Sequence, residues 1–203
     1  MDFWNSNLTE KSWMLLQEIK TKYNFILIGG WAAYLWTKQH KSKDIDIVID
    51  LNELQKLKQK NLSKNDNLKK YELKFDDIDI DIYVDYYSKL SLPVEDLKKY
   101  TTKIESINVV IPEILLILKQ GAEIERKNSV KGEKDRIDIV SLLFYANPDL
   151  NNYISILKKY NKLEYLNNLI LILKNFNDYN SLNLTPRKFK LKKEKILNEL
   201  KRI

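Results

Sequence analysis

Two segments that alternate isoleucine with aspartate restrict the fold of this sequence more than any other feature. Asp44 and Asp46 alternate with isoleucines in the first segment, and Asp79 and Asp81 do so over residues 78–84. Side chains at positions i and i+2 of a β-strand project from the same face. Both segments are therefore predicted to be strands with one apolar face and one acidic face.

Carboxylates that share a strand face repel one another, and each raises the pKa of its neighbour unless a cation compensates the charge. A divalent ion held by oxygen ligands removes this repulsion, so the acidic face is a candidate Mg²⁺ site. Carboxylates from two strands can hold one or two such ions, an arrangement that supports phosphoryl transfer. The other interpretation is a sheet whose polar face is simply solvated, although aspartate is a poor strand former.

A glycine pair follows the first apolar segment of the chain. Residues 25–28 form a continuous apolar run that is typical of a buried strand, and Gly29 and Gly30 lead from it into a predicted short helix. Glycines at such a junction allow the backbone to approach a phosphate, and the first N–H groups of a helix favour an anion. The pair alone is a weak indication, because no Walker A lysine pattern or three-glycine dinucleotide fingerprint accompanies it.

The pattern of predicted elements changes near residue 111. The front part is predicted to contain helices at 8–23, 31–38, 52–62 and 94–100, strands at 25–28, 45–49, 71–75, 78–84 and 107–111, and a loop at 63–68. The back part is predicted to contain only helices, at 113–126, 134–146, 150–160, 162–175 and 186–201. We therefore predict an α+β fold in which a small mixed sheet is flanked by helices, followed by a C-terminal helical bundle, with domains at 1–111 and 112–203.

Composition excludes several kinds of site. The sequence has no cysteine, which excludes disulfides, thiolate nucleophiles, iron–sulfur clusters and cysteine-based zinc sites. His40 is the single histidine, so one chain has too few imidazoles for a multi-histidine zinc site. A Ser-His-Asp mechanism would depend on the same residue. Any metal must therefore be held mainly by oxygen, which favours Mg²⁺, Mn²⁺ or Ca²⁺.

The excess positive charge lies in the last quarter of the chain. Residues 1–149 hold 23 Lys and Arg against 24 Asp and Glu, whereas residues 150–203 hold 12 against 4. The densest part runs from Arg187 to Lys195. Such a basic region favours a polyanionic partner such as RNA or tRNA, and a solvated helix face is the other interpretation.

The sequence contains no apolar run of about 18 residues, the length that a membrane-spanning helix needs. Its N-terminus also lacks a basic region followed by an apolar core, the pattern of a secretory signal. We therefore expect a cytoplasmic protein without a membrane partner.

The strand, the Gly29-Gly30 turn, the helix and the following Asp44-Ile45-Asp46 strand together resemble the signature of the nucleotidyltransferase (DNA polymerase β-like) superfamily. The resemblance implies that the glycine turn contacts the triphosphate of an NTP and that Asp44 and Asp46 ligate Mg²⁺ or Mn²⁺. A third aspartate on a later strand completes the metal site in that superfamily. Asp81 is the best match for it and Asp79, one pleat away, is the alternative.

Residues 112–126 and 134–138 are similar to a second segment of this superfamily, in the branch that contains the AbiEii-type toxins of type IV toxin–antitoxin and abortive-infection systems. The resemblance implies that Lys119 approaches the nucleotide phosphates and that Asp135 assists the acceptor. Asp138 has a structural role in most such proteins.

The resemblance covers residues 25–145 and has one clear departure. Many members carry arginine four residues before the first metal-binding aspartate, where this chain has His40. Arg126 shares a helix face with Lys119 through its spacing of seven residues, and the alternative to a nucleotide contact is a pair between Arg126 and Asp138.

These features predict a metal-dependent nucleotidyltransferase that transfers NMP from an NTP such as ATP to an acceptor and releases pyrophosphate. RNA or tRNA is favoured as the acceptor, with a protein or small-molecule hydroxyl as the alternative. The alternative function is a weakly active or inactive nucleotidyltransferase-like member of a toxin–antitoxin or regulatory pair, with a cognate antitoxin or other partner protein. The predicted catalytic residues are Asp44, Asp46, Asp81, Lys119 and Asp135, of which the first three hold the metal, and the predicted nucleotide-binding residues are Gly29, Gly30, Ser42, Lys119 and Arg126.

Overall fold

The computed structural model describes residues 6–57 and 62–202. Within it the chain forms two compact units, Met1–Ile111 and Pro112–Ile203. The first unit is built on a mixed β-sheet and the second on packed helices.

The first unit contains a seven-stranded sheet with the strand order β3-β4-β5-β2-β1-β7-β6. Its strands are β1 (Ile26–Ile28), β2 (Ile45–Ile49), β3 (Ser63–Asn65), β4 (Lys70–Phe75), β5 (Ile78–Val84), β6 (Thr101–Ile104) and β7 (Ile107–Val110). The helices are α1 (Ser6–Lys22), α2 (Gly29–Thr37) and α3 (Leu51–Leu57), and Val94–Lys99 forms a 3₁₀ helix. Strand β2 is parallel to β5 and β1 is parallel to β7, whereas the other neighbouring strands are antiparallel.

The isoleucine–aspartate alternation accounts for the centre of this sheet. Ile45, Ile47, Ile80 and Ile82 lie on one face of β2 and β5, and each is at most 4% exposed. Burying one such side chain contributes about 1.5–3 kcal/mol, so this apolar face fixes the register of the two strands. The aspartates consequently lie together on the opposite face.

Two edge strands differ from the sequence prediction. Residues 63–68 were expected to be a loop, but β3 pairs with β4 as a hairpin, and β6 pairs with β7 in a segment without a predicted strand. Both strands are rich in polar residues because an edge strand has little apolar surface to bury. Helix α2 begins at Gly29 itself, and residues 58–61 of the predicted 52–62 helix lie outside the described residues.

The second unit contains the five predicted helices, with one early start. They are α4 (Pro112–Arg126), α5 (Val130–Ser141), α6 (Leu150–Lys159), α7 (Glu164–Asn175) and α8 (Pro186–Arg202), and Leu142–Ala146 forms a π-helical turn. Helix α5 begins four residues earlier than predicted because the Ser129 hydroxyl caps it by accepting from the Gly132 N–H. Across residues 6–57 and 62–202, no helix is long and apolar enough to cross a membrane.

Candidate active site

Three neighbouring elements place a glycine and two aspartates side by side in the first unit. Ile28 of β1 lies opposite Asp46 of β2, and Asp46 lies opposite Asp81 of β5. Gly29 follows Ile28 directly, so it adjoins Asp46. Asp44 comes two residues before Asp46, just ahead of the strand, and belongs to the same face. The structure therefore brings the glycine turn and the acidic face to one place.

Gly29 is required at this position by both its backbone and its surroundings. Its φ angle is +67°, a left-handed conformation that L-residues rarely adopt. A Cβ atom added to Gly29 would lie 2.0 Å from Oδ2 of Asp46 and 2.5 Å from its Cγ. The carboxyl group of Asp46 therefore rests directly against the backbone that begins helix α2.

Two tryptophans fix helix α2, which carries the glycine turn. The Trp31 indole donates a hydrogen bond to the Ser12 hydroxyl of α1 at 2.8 Å, and the Trp36 indole donates to the Val110 carbonyl of β7 at 2.9 Å. Ile28, the residue before α2, provides no side-chain cap for the helix N-terminus. A helix start with glycine at its first positions is suited to a phosphate group.

The two candidates for the third carboxylate differ in position. Asp81 lies beside Asp46, and its side chain is 21% exposed. Asp79 lies one pleat away, opposite Lys74 of β4, and its side chain is 48% exposed. Of the two, Asp81 is the one that pairs with Asp46, and Asp46 contacts the glycine turn.

Lys70 of β4 is the cation nearest to the acidic face, and the sequence analysis missed it. Its Nζ atom is 2.6 Å from Oδ2 of Asp81 and 3.0 Å from Oε1 of Glu72. The Asn65 side chain of β3 donates a further hydrogen bond to Glu72 at 3.0 Å. Lysine and glutamate alternate along β4 at Lys70, Glu72 and Lys74, so pairing this strand with the acidic strand β5 would have indicated the contact.

Burial and the Lys70 ammonium shift the pKa of the Asp81 carboxyl group in opposite directions. Burial raises the pKa of its carboxyl group, and the hydrogen bond and charge of Lys70 lower that pKa. The charges of Glu72 and Asp44 raise it again, so the pKa of Asp81 lies above the ordinary value. Burial alone would lower the pKa of Lys70, but its contacts with Asp81 and Glu72 outweigh burial and raise that pKa. Lys70 is therefore an ammonium group at neutral pH.

The acidic face offers a divalent ion only part of its coordination shell. Within the described part of the chain, no three His, Cys, Asp or Glu side chains converge to hold a metal ion by themselves. Mg²⁺ at nucleotide sites commonly takes one or two carboxylates and completes its shell with water and substrate phosphates. Asp44 and Asp46 supply such a partial set of oxygen ligands.

The predicted residues of the second unit form a buried cluster on helices α4 and α5. Lys119 lies with its Nζ atom 2.6 Å from Oδ2 of Asp138 and 3.3 Å from Oδ1 of Asp135. Arg126 donates from Nε to Oδ2 of Asp135 at 2.7 Å. Arg126 thus pairs with Asp135, whereas Asp138 lies beside Lys119. The side chains of Lys119 and both aspartates are at most 9% exposed, whereas that of Arg126 is 41% exposed.

Three further predicted positions lie near the glycine turn in sequence. Gly30 is buried in the first turn of α2. Ser42 is 3% exposed in the segment between α2 and β2, and His40 is half-buried in the same segment. This segment leads directly into Asp44 and therefore helps to set where the acidic strand begins.

The basic region of the last helix divides into two groups of side chains. The Lys192 ammonium donates to the Phe144 carbonyl at 2.7 Å, and Lys193 donates to the carbonyls of Lys174 and Phe176 at 2.8 Å. Burial lowers the pKa of both lysines. The exposed basic residues of α8 are Arg187, Lys188, Lys190, Lys195, Lys201 and Arg202. Lys192 and Lys193 therefore bind backbone carbonyls, whereas the other basic side chains of α8 are exposed to solvent.

Comparison with protein families and with curated proteins finds no match to this sequence. Comparison with solved structures finds a candidate nucleotidyltransferase from H. pylori, at 17% identity and a TM-score of 0.51, that covers 98% of both chains. This chain has a nucleotidyltransferase fold. JHP933 from Helicobacter pylori is similar at 16% identity over 98% of this chain and 95% of its own, with a TM-score of 0.49. An antigenic nucleotidyltransferase-like protein from Paracoccidioides brasiliensis is similar at 17% identity over 79% of this chain and 92% of its own, with a TM-score of 0.42.

Proposed function

We propose that this protein is a metal-dependent nucleotidyltransferase that transfers NMP from an NTP to an acceptor and releases pyrophosphate. The observation that carries the proposal is the contact between Gly29 and Asp46, with Asp81 on the next strand. A glycine turn that accepts a phosphate and a carboxylate pair that accepts a metal are thereby joined at one point. The nucleotidyltransferase fold is consistent with this chemistry, although a fold alone does not specify an activity.

The proposed metal ligands are Asp44 and Asp46, with Asp81 as the third carboxylate. Mg²⁺ or Mn²⁺ bound there would neutralise the charge of the triphosphate and polarise its phosphoryl oxygens. The Gly29 and Gly30 amides at the start of α2 would stabilise negative charge on the phosphates through the positive end of the helix.

The reaction follows the ordinary balance of nucleotidyl transfer. An acceptor oxygen forms a bond to the α-phosphorus of the NTP, and the bond from that phosphorus to the bridging oxygen of the β-phosphate breaks. Pyrophosphate leaves with the electron pair of that bond. The acceptor proton passes to a carboxylate of the acidic face, for which Asp81 is proposed because it lies beside Asp46.

RNA or tRNA is the proposed acceptor. The exposed basic residues of α8 present cations along one helix, which is the pattern expected for contacts with successive phosphates. Lys188→Ala combined with Lys195→Ala should weaken RNA binding and reduce its salt dependence, whereas the exposed Lys103→Ala of the first unit should do neither. Equal RNA binding and labelling by the α8 variants and the wild type would contradict the role of α8 in holding the acceptor.

We propose more specifically that the protein is a toxin of a type IV toxin–antitoxin system, which implies a cytoplasmic protein with an antitoxin partner. This proposal is supported by the Lys119–Asp135 contact, which joins the two helical segments that carry the resemblance to that branch. Lys119 would contact the nucleotide phosphates and Asp135 would assist the acceptor. In the structure Lys119 is engaged by two carboxylates, so a phosphate contact requires that Lys119 exchange one of them for the nucleotide.

Transfer of label from α-³²P NTPs tests the proposed function directly. The protein is incubated with each of the four NTPs, with Mg²⁺ or Mn²⁺, and with total cellular RNA and protein. We expect one labelled acceptor band that Asp46→Asn reduces by about 100-fold or more, corresponding to about 2.7 kcal/mol of transition-state stabilisation. Asp79→Asn is the matched control, because it removes an exposed carboxylate from the same sheet face.

The outcomes of this assay separate the alternatives. Label in RNA supports the RNA acceptor, and label in a protein band moves the acceptor to a polypeptide. Equal labelling by wild type and Asp46→Asn contradicts the proposed site. Absence of label with every NTP and acceptor favours the weakly active or inactive member of a regulatory pair, a function that a stable complex with a partner chain would support.

A further inference from the structure

Lys70 lies on the acidic face and has no part in the proposed transfer reaction. Asp46, Asp81 and Glu72 lie opposite one another on the adjacent strands β2, β5 and β4. Lys70 is two residues before Glu72 on β4 and therefore projects from the same face. Its ammonium contacts both Asp81 and Glu72.

The contacts of Lys70 are built into the sheet. Its side chain is only 12% exposed, and the charged end is held between two carboxylates at 2.6 and 3.0 Å. A half-buried ammonium is costly unless it is paired, so this arrangement differs from a solvated surface ion pair. The β3–β4 hairpin fixes Lys70 further, since Lys70 lies opposite Asn65 and Asn65 in turn donates to Glu72.

Lys70 and a divalent ion at this site would both interact with the Asp81 carboxylate. Mg²⁺ binds its oxygen ligands at about 2.0–2.1 Å, and Oδ2 of Asp81 already accepts the Lys70 ammonium. Two cations at one carboxylate repel each other, so Lys70 opposes binding of an ion to Asp81, and this repulsion falls when the lysine moves away. The flexible stem of lysine permits such a movement.

We propose that Lys70 competes with a divalent cation for Asp81 and thereby weakens metal binding in the nucleotide-free protein. This inference rests on the proposed function, because it concerns the metal ligands of the same site. Lys70 stabilises the acidic face when no ion is bound, and the metal site is completed when the NTP supplies phosphate oxygens to the ion. Lys70 is thus a positioning residue that links metal occupancy to the presence of the nucleotide.

Titration with Mn²⁺ in the absence of nucleotide, followed by electron paramagnetic resonance of the free ion, tests the proposal. Lys70→Met removes the charge and keeps the length of the side chain. One unit charge about 6 Å from a divalent ion changes affinity by about four powers of ten at an effective dielectric constant of about 20, and movement of the lysine away from the ion reduces that effect. We therefore expect Lys70→Met to bind Mn²⁺ at least about tenfold more tightly than the wild type.

Lys74→Met is the matched control for this measurement. Lys74 lies on the same strand and face, but its side chain is 79% exposed and its Nζ atom is 3.9 Å from Asp79. Solvent screens this charge, so the Mn²⁺ affinity of Lys74→Met should stay within about twofold of the wild type. Lys70→Gln is the second neutral variant, used if the methionine variant does not fold, and Lys70→Arg retains the charge and should bind as weakly as the wild type.

Unfolding without metal gives a second readout that does not depend on activity. In EDTA, Lys70→Met should unfold at a lower urea concentration than Lys74→Met, and Mn²⁺ should remove that difference. Equal Mn²⁺ affinity in the Lys70 and Lys74 variants overturns the inference, as does absence of Mn²⁺ binding in every variant. Failure of the proposed function shows separately, as equal labelling by wild type and Asp46→Asn in the transfer assay.

Discussion

Substitution of Gly29 by alanine tests the contact on which the candidate site depends. Alanine at this position adds a Cβ atom to a residue with a φ angle of +67°, and that atom would lie 2.0 Å from Oδ2 and 2.7 Å from Cβ of Asp46. The Asp46 side chain must move, or the backbone of α2 must shift away from β2. Either change separates the glycine turn from the metal-binding carboxylate.

The cost of Gly29→Ala has two contributions. The left-handed conformation costs an alanine about 1–2 kcal/mol relative to glycine. Insertion of a methyl group into a filled space costs about 1–3 kcal/mol more. We expect a total loss of about 3 kcal/mol in the unfolding free energy of the first unit, together with a loss of at least about 100-fold in nucleotidyl transfer.

Tryptophan fluorescence is suited to this measurement because all four tryptophans of the sequence lie within its first 36 residues. The signal therefore reports on the unit Met1–Ile111 and not on the helical unit. With a urea dependence of about 1.5 kcal/mol per molar, a loss of about 3 kcal/mol moves the midpoint down by about 2 M.

Two companion variants separate the contributions. Lys38→Gly, at the other end of α2, relieves a φ angle of 55° without any crowding at Asp46, and should raise stability by about 1 kcal/mol. Asp46→Gly removes the crowded side chain, so Gly29→Ala should cost about 1–2 kcal/mol less in that background. Additive effects of Gly29→Ala and Asp46→Gly would refute the contact between them.

Three further predictions concern the helical unit and are measured by circular dichroism during thermal or urea unfolding. Lys119→Met should lower the free energy of unfolding by about 3 kcal/mol because it leaves two buried carboxylates without their lysine. Arg126→Met, at a side chain that is 41% exposed, should lower it by about 1 kcal/mol. Equal losses would contradict the assignment of Lys119 to the buried cluster. Burial raises the pKa of the Tyr153 hydroxyl, so the unfolded chain releases this proton above about pH 10 while the folded chain retains it. Stability is then lost as pH rises, by up to about 1.4 kcal/mol per pH unit more in the wild type than in Tyr153→Phe, and parallel curves between about pH 9 and 11 would contradict this. Lys193→Met should lower the free energy of unfolding by about 1 kcal/mol through loss of its hydrogen bonds to the carbonyls at the end of α7. The exposed Lys190→Met should lower it by less than about 0.5 kcal/mol. The reverse order would show that Lys193 does not cap the end of α7.

The central strands of the sheet were predictable because their pattern is local. Alternation of isoleucine and aspartate specifies a strand and its buried face without knowledge of its partners. The strands β3 and β6 were missed for the opposite reason. Ser63–Asn65 and Thr101–Ile104 carry few apolar residues, and only pairing with a neighbouring strand makes them strands.

In the helical unit, the sequence predicted which residues share a helix face but not which side chains contact each other. Spacing of seven residues correctly places Lys119 and Arg126 on one helix face, but it does not determine which aspartate of α5 each contacts. That choice depends on the relative position of the two helices. In the structure Lys119 contacts both Asp138 and Asp135, and Arg126 contacts Asp135. Helical periodicity does not predict this pairing.

Strand register separates Asp81, the best match from the sequence for the third carboxylate, from its alternative Asp79. Both aspartates have the same local pattern, so neither periodicity nor propensity distinguishes them. Pairing of β2 with β5 sets Asp81 opposite Asp46, and pairing of β4 with β5 sets Lys74 opposite Asp79. The same two registers bring Lys70 to Asp81. One long-range arrangement therefore determines both the carboxylate next to the glycine turn and the cation that competes for it.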